Sequence, residues 1–308
     1  MPTPIIFFHY GNPQYLKYSL KQARYFNPDS DIYLLGDKRN NCYPFITHVF
    51  SDKYKSKAQA FIDVYKHRSS NSENYELNCF LRWFYIKAFC EEKGIASFIY
   101  LDSDVLLFQD VSELVPLFKD HTIANTCDDT GMPAFTYFKD QKVLSDFCEY
   151  LLHAYTDRKL VNELDALYQP YMDSGEMGGV CDMTLFHFYF RDHPAGTLKI
   201  DLIGDDIAVD SNISRQDGYE IEDGIKKIYW KNKLPYAKNI ASGKLVRFAT
   251  LHYQGSAKNT MRQHYMAGGY QLAKFLETLD LKGKFKRTKK AVRDLLKRAF
   301  NLSYLLAF

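Results

Sequence analysis

A chain of 308 residues is long enough to bury a substantial core. With 46% hydrophobic and 25% charged residues it has the composition of an ordinary globular protein, and a formal net charge of only +3 excludes nucleic-acid binding by bulk charge. No apolar run approaches the ~20 residues of a membrane-spanning helix, and Ile5 to Phe8 is too short for a secretory signal and has no basic leader, so the cytosol is the expected compartment. Six cysteines without a C-x-x-C pair read as reduced, mostly buried thiols.

Pro4 to His9 reads as a short buried strand that ends in the loop formers His9-Tyr10-Gly11-Asn12-Pro13. Leu16, Leu20 and Ala23 fall at helical spacing, and Asn27-Pro28 stops that helix. Asp31 to Leu35 is the next strand, closed by Gly36-Asp37. Strand, helix, strand predicts a parallel pair, and such sheets bind ligands beyond the carboxyl ends of their strands. Between Ser51 and Lys93 the pattern is helical, with Leu77, Phe80, Phe84 and Ala88 on one face and Gly94 as the stop. Phe98 to Leu101 reads as a buried strand carrying Asp102-Ser103-Asp104 at its carboxyl end, and Val105 to Phe108 continues extended. Ser112 is read as the N-cap of a helix through Phe118, and Thr122 to Ala124 as a short strand. A helix over Gln141–Tyr155, a loop over Asp173–Gly179 and a helix opening at Asp182 and running through Phe190 follow. Leu245 to Leu251 is the last predicted strand and leads into His252. With no internal repeat or low-complexity linker, the expected organisation is one α/β domain, 1–280, and a C-terminal extension, 281–308.

The chemistry centres on Asp102 and Asp104. Two carboxylates one residue apart can share a divalent cation, and hard oxygen ligands suit Mg²⁺ or Mn²⁺, which bridge diphosphate oxygens. The tripeptide alone is weak evidence, since Asp29-Ser30-Asp31 repeats it. That copy precedes its strand, where capping and solvation explain it, whereas the copy at Asp102 follows one. The second signal is His252-x-x-Gly255-x-x-Lys258. A neutral imidazole adds a nitrogen ligand, glycine lets backbone approach a phosphate, and Lys258 supplies a point charge for a diphosphate. A solvated turn and a structural histidine are the alternatives, and the pairing of the two segments favours the ligand reading.

Tyr100-Leu101-Asp102-Ser103-Asp104-Val105-Leu106 resembles the DxD segment of GT-A-fold glycosyltransferases, and His252 to Lys258 resembles the HxxGxxK motif of glycosyltransferase family 8. That group includes bacterial lipopolysaccharide galactosyltransferases and glycogenin. The similarity spans residues 4 to about 260 and implies a Rossmann-like mixed sheet flanked by helices. It further implies Mn²⁺ on Asp102, Asp104 and His252, and donor diphosphate on Asp102, Gly255 and Lys258. Phe80-Leu81-Arg82 resembles the family's basic segment ahead of the DxD strand, which makes Arg82 a contact to the donor sugar. Cys181-Asp182-Met183-Thr184-Leu185 keeps one of two acids of a motif near the sugar, so the resemblance makes Asp182, with Arg82, a catalytic candidate that orients the donor sugar or stabilises positive charge at its anomeric carbon, helix N-capping being the alternative. The first two strand ends, with His9, Tyr10, Asn12 and Asp37, correspond to the region that holds the nucleotide base.

The implied function is transfer of a hexose from a UDP-sugar to a glycan or lipid-linked acceptor, with retention, in bacterial surface polysaccharide or lipopolysaccharide synthesis. A catalytically inactive sugar-nucleotide or carbohydrate-binding protein is the alternative. A phosphatase of the haloacid-dehalogenase type is a weaker one, because Leu106 stands where a Thr or Val is expected. From Lys282 to Arg298 the chain carries nine Lys or Arg and one acid, Asp294, with Val292, Leu295, Leu296 and Ala299 on one helical face. A basic amphipathic helix suits an anionic membrane surface, which predicts a cytoplasmic enzyme attached to the inner face of the membrane; packing of this helix on the domain is the alternative.

Overall fold

The computed structural model describes residues 2–127, 131–200, 202–203 and 207–267. Strand β1 (Ile5–His9) is apolar on both sides because both sides are covered: Ile6 and Phe8 enter one core, Ile5 and Phe7 the other. Helix α1 (Gln14–Phe26) buries Leu16, Leu20 and Ala23 as its spacing predicts. β2 (Ile32–Gly36) and β3 (Thr47–Phe50) follow, and β1 pairs in parallel with both β2 and β4 (Phe98–Leu101). β6 (Ile123–Cys127), β7 (Gly131–Phe138) and β8 (Thr197–Ile200) complete a seven-stranded sheet of order β3-β2-β1-β4-β7-β6-β8. β7 runs antiparallel to β4 and β6, so the sheet is mixed, and helices cover it as expected for the α/β class.

The helical reading of Ser51–Lys93 needs correction. A 3-10 segment (Ser51–Ala58) leads into α2 (Gln59–Val64), then the polar run His67-Arg68-Ser69-Ser70-Asn71-Ser72 leaves helical conformation before α3 (Glu73–Lys93). That run finds backbone partners elsewhere: Ser70 N–H donates to the Gly178 carbonyl at 2.9 Å, and Val180 N–H to the Arg68 carbonyl at 2.7 Å. α3 buries Phe80, Leu81, Trp83, Ile86 and Phe89, more than one face, and ends at Gly94 with φ +65°. Asp110, not Ser112, caps the short helix α4 (Val111–Leu114), its carboxylate accepting from Ser112 N–H at 2.8 Å. α5 (Gln141–Ala154) lies as predicted; α6 (Arg158–Ser174) was not foreseen and takes up the start of the expected loop. α7 (Asp182–Asp192) has Cys181 at its cap position, so Asp182 is its first helical residue and not its cap.

β5 (Val105–Leu107) does not extend the sheet of β4. It pairs antiparallel with the last strand, β15 (Leu245–His252), placing Val105 opposite His252. β15 also pairs with β10 (Ile207–Val209) and β14 (Leu234–Lys238), and β9 (Leu202–Ile203) and β13 (Tyr229–Lys231) complete this second sheet. The chain therefore crosses from one sheet to the other at Asp102–Asp104: Asp102 N–H donates to the Ala134 carbonyl at 2.9 Å, and the Asp104 carbonyl accepts from Tyr253 N–H at 3.0 Å. A small hairpin, β11 (Ile221–Glu222) and β12 (Ile225–Lys226), turns at Asp223-Gly224, both with φ above +50° as a two-residue type I′ loop requires. No helix among the described residues is long and apolar enough to cross a membrane. The basic extension 281–308 and the boundary at residue 280 lie outside the described residues.

Candidate active site

The carboxyl ends of β1 and β4, the start of α3, the start of α7 and the end of β15 surround one cleft of about 1000 Å³. At its floor Asp102, Asp104 and His252 each offer a ligand atom, all within 4.8 Å of one another. Asp102 is oriented by two donors on one oxygen, Oδ1: the Tyr100 hydroxyl at 2.6 Å and Arg82 Nη1 at 2.8 Å. Asp104 is almost fully buried, with Lys258 Nζ 2.8 Å from Oδ2 and His252 Nε2 3.4 Å from Oδ1. Burial alone would raise its pKa; His252 and Lys258 outweigh burial and hold the carboxyl well below the usual range.

His252 has the geometry of a ligand. Its Nδ1 lies 2.5 Å from the Ser211 carbonyl, which can only accept, so Nδ1 carries the proton and Nε2 turns its lone pair toward the carboxylates. Without a cation Nε2 takes a proton instead: burial lowers the pKa, Asp104 more than reverses this, and the group reaches about 9. Two carboxylates and one oriented imidazole nitrogen fit a hard divalent cation, and they are the three residues that the motifs single out.

Arg82 connects this floor to α7. Its Nε and Nη2 both donate to Asp182 Oδ2, and Trp83 Nε1 donates to the same oxygen at 2.9 Å. The guanidinium also lies over the rings of Trp83 and Tyr100 at 5.0 and 5.2 Å. Burial opposes its charge, but Asp182, Tyr100 and Asp102 hold the pKa well above the ordinary value. Asp182 is thereby committed to Arg82 and Trp83.

His9 and Tyr10 also line the cleft. His9 Nδ1 is 2.9 Å from Ser103 Oγ, and burial lowers its pKa to about 4, which keeps the imidazole neutral near pH 7. Asn12, Asp37 and Gly255 stand off the cleft wall. Asn12 is exposed and bonded to the Tyr43 hydroxyl. The Asp37 carboxylate accepts from Gly11 N–H at 3.0 Å and from the Arg39 guanidinium, closing the loop after β1. Gly255 has φ +60°, and a Cβ there would meet open space, so conformation rather than crowding calls for glycine.

Sequence reasoning passed over Tyr100 and Trp83, although Tyr100 lies two residues before Asp102 on the same side of the chain, a usable signal. It also missed Asp210 and Ser211, on the loop after β10, and Lys226, on a two-residue strand too short to carry a periodic pattern. Of the five cysteines whose side chains are described, Cys90 and Cys148 are buried, Cys79 and Cys181 partly so, and Cys42 is exposed; all five are free thiols.

No family model and no curated protein matches the chain. Solved structures similar to it include apo mouse xyloside xylosyltransferase 1, at 12% identity over 65% of this chain and 86% of that one, with a TM-score of 0.45. Another is the bifunctional glycosyltransferase WbbM, at 11% identity over 88% of this chain and 51% of that one, with a TM-score of 0.46. A third is the galactosyltransferase LgtC in complex with donor and acceptor sugar analogues, at 12% identity over 93% of this chain and 100% of that one, with a TM-score of 0.40. All three are glycosyltransferases by description, and this chain spans about half the length of WbbM.

Proposed function

We propose that this chain is a metal-dependent glycosyltransferase, transferring a hexose from a UDP-sugar to a glycan or lipid-linked acceptor with Mn²⁺ or Mg²⁺ on Asp102, Asp104 and His252. The observation that carries the reading is the oriented three-ligand cluster beside Lys258 on the floor of a cleft large enough for a nucleotide sugar. Bound there, the cation would supply Lewis-acid neutralisation of the charge on a departing diphosphate. Lys258 is partly exposed and pairs with Asp104, so its ammonium can add a second positive charge for the leaving group without leaving the cleft. Arg82 and Tyr100 fix Asp102 through Oδ1. Asp182 acts as a positioning residue: with its Oδ2 taking three N–H donors, it sets the guanidinium that faces the donor sugar.

Retention of anomeric configuration, a role in bacterial surface polysaccharide or lipopolysaccharide synthesis, and cytoplasmic membrane attachment through 281–308 belong to the same proposal and rest on the motif resemblance and the basic tail. The test is incubation with a panel of UDP-sugars, with and without Mn²⁺. Mn²⁺-dependent release of UDP is expected. Release of inorganic phosphate instead would favour the phosphatase alternative, and saturable binding without turnover the inactive binding protein.

A further inference from the structure

The orientation of His252 comes from its neighbours. Its backbone N–H donates to Asp210 Oδ2 at 3.0 Å, its carbonyl accepts from Ile213 N–H at 2.8 Å, and its ring is fixed by the Ser211 carbonyl. One segment, Asp210 to Ile213, thus holds both the main chain and the imidazole. That segment is held in turn by Lys226, which the β11–β12 hairpin delivers. The Lys226 side chain is 1% exposed and places its three N–H donors on three acceptors: Asp210 Oδ1 at 2.8 Å, the Asn212 carbonyl at 2.6 Å and Asp217 Oδ2 at 2.8 Å. Its backbone N–H donates to the Ile213 carbonyl at 2.7 Å, and Asp217 also accepts from Ser211 Oγ at 3.1 Å.

A buried ion pair contributes little net stability compared with a well-packed apolar replacement, so stability alone does not account for this arrangement. What it does supply is direction. We propose that Lys226 and Asp210 are positioning residues for His252: the buried ammonium immobilises Asp210–Ile213 so that the Ser211 carbonyl keeps the proton on Nδ1 and aims Nε2 at Asp102 and Asp104. The inference rests on the metal-site reading given above. Metal-bound histidines depend on their outer hydrogen-bond partners for affinity, typically by 10- to 100-fold. Here the support extends one residue further out.

Charge and position predict opposite signs. Removing a buried cation from the neighbourhood of a cation site leaves Asp210 and Asp217 less compensated and by Coulomb's law favours the metal. Removing the clamp on Asp210–Ile213 disfavours it. The experiment titrates Mn²⁺ alone into the full chain by calorimetry, for wild type, Lys226→Met, Lys226→Gln and Val246→Ala. Val246 is a buried β15 residue outside the network, and its truncation controls for lost stability. The expected result is a Kd at least about tenfold weaker in Lys226→Met. Lys226→Gln, which keeps two N–H donors, should show a smaller loss in the same direction, and Val246→Ala a wild-type Kd. If Lys226→Met does not fold, Lys226→Gln carries the decision. Unchanged or tighter Mn²⁺ binding in the folded Lys226 variants would overturn the proposal, as would an equal loss in Val246→Ala. Absence of saturable Mn²⁺ binding to wild type would instead remove the metal reading on which it rests.

Discussion

Proton and metal compete for one nitrogen, and the structure sets the size of that competition. Burial lowers the His252 pKa, Asp104 raises it by more, and the imidazole reaches about 9 from an ordinary 6.5. Because the folded value lies above the unfolded one, the charged pair stabilises the metal-free protein fully below pH 6.5. Its contribution fades as pH rises to about 9. A displacement of that extent is worth at most about 3 kcal/mol. The depressed Asp104 carboxyl reports the same interaction from its other partner together with the pull of Lys258, so the two shifts are not summed. A cation at Nε2 must expel the proton, so Mn²⁺ affinity should rise about tenfold per pH unit between pH 6.5 and 9 and then level off. At about pH 7.5 binding should release close to one proton, countable by calorimetry in buffers of different ionisation enthalpy. Thermal melts in EDTA should fall by several degrees across the same window, while the stabilisation conferred by Mn²⁺ grows. Affinity independent of pH, with no proton released at about pH 7.5, would refute the reasoning.

Asp104→Ala should abolish Mn²⁺ binding and UDP release with the fold retained, whereas Asp31→Ala, at the chance copy of the motif, should bind Mn²⁺ as wild type does; calorimetry with circular dichroism decides both. Lys258→Ala should lower turnover about 100-fold through loss of a charge on the leaving group while Mn²⁺ binding is kept or tightens, because Asp104 Oδ2 loses a competing ammonium 2.8 Å away; steady-state UDP release and metal titration would report both. Gly179 has φ +144°, and an added Cβ would lie 2.4 Å from the Arg68 carbonyl oxygen, so Gly179→Ala should cost about 2 kcal/mol or more and loosen the cleft wall, read as a lower denaturation midpoint. The full chain should pellet with anionic vesicles at low salt, less so at high salt, and a chain ending at Asp280 should stay in solution and still release UDP; equal pelleting of the two would count against a membrane role for 281–308.

The sequence exposed what periodicity and position encode. The apolar run of β1, the amphipathic face of α1 and the strand before Asp102 were all legible, and with them the carboxyl-end placement of the DxD segment. The second sheet was not, because its strands apart from β15 are five residues or shorter, and β10 and β5 find β15 across long stretches of sequence. α6 was hidden by Pro170, which lowers helix propensity yet sits inside the helix, its carbonyl accepting from Ser174 Oγ at 2.8 Å. In the site, ligand identities came from spacing, but their orientation did not. The bonds from Ser211 and Asp210 to His252 span about forty residues and involve a backbone carbonyl and a loop carboxylate, neither of which leaves a mark in composition.

The crossing at Asp102–Asp104 gives the cluster a mechanical side. Asp102 is tied to β7 in the first sheet, while Asp104 and His252 belong to the second. A cation gripped by all three would be a reversible cross-link between the two sheets at the point where the chain crosses from one to the other. Its occupancy would then stiffen the crossing itself, adding a polar tether at the edge of an apolar core that both sheets already share through Val105, Leu107, Val209 and Ala249. Amide exchange would register this as added protection in β4 and β15 together, far beyond the three ligands themselves.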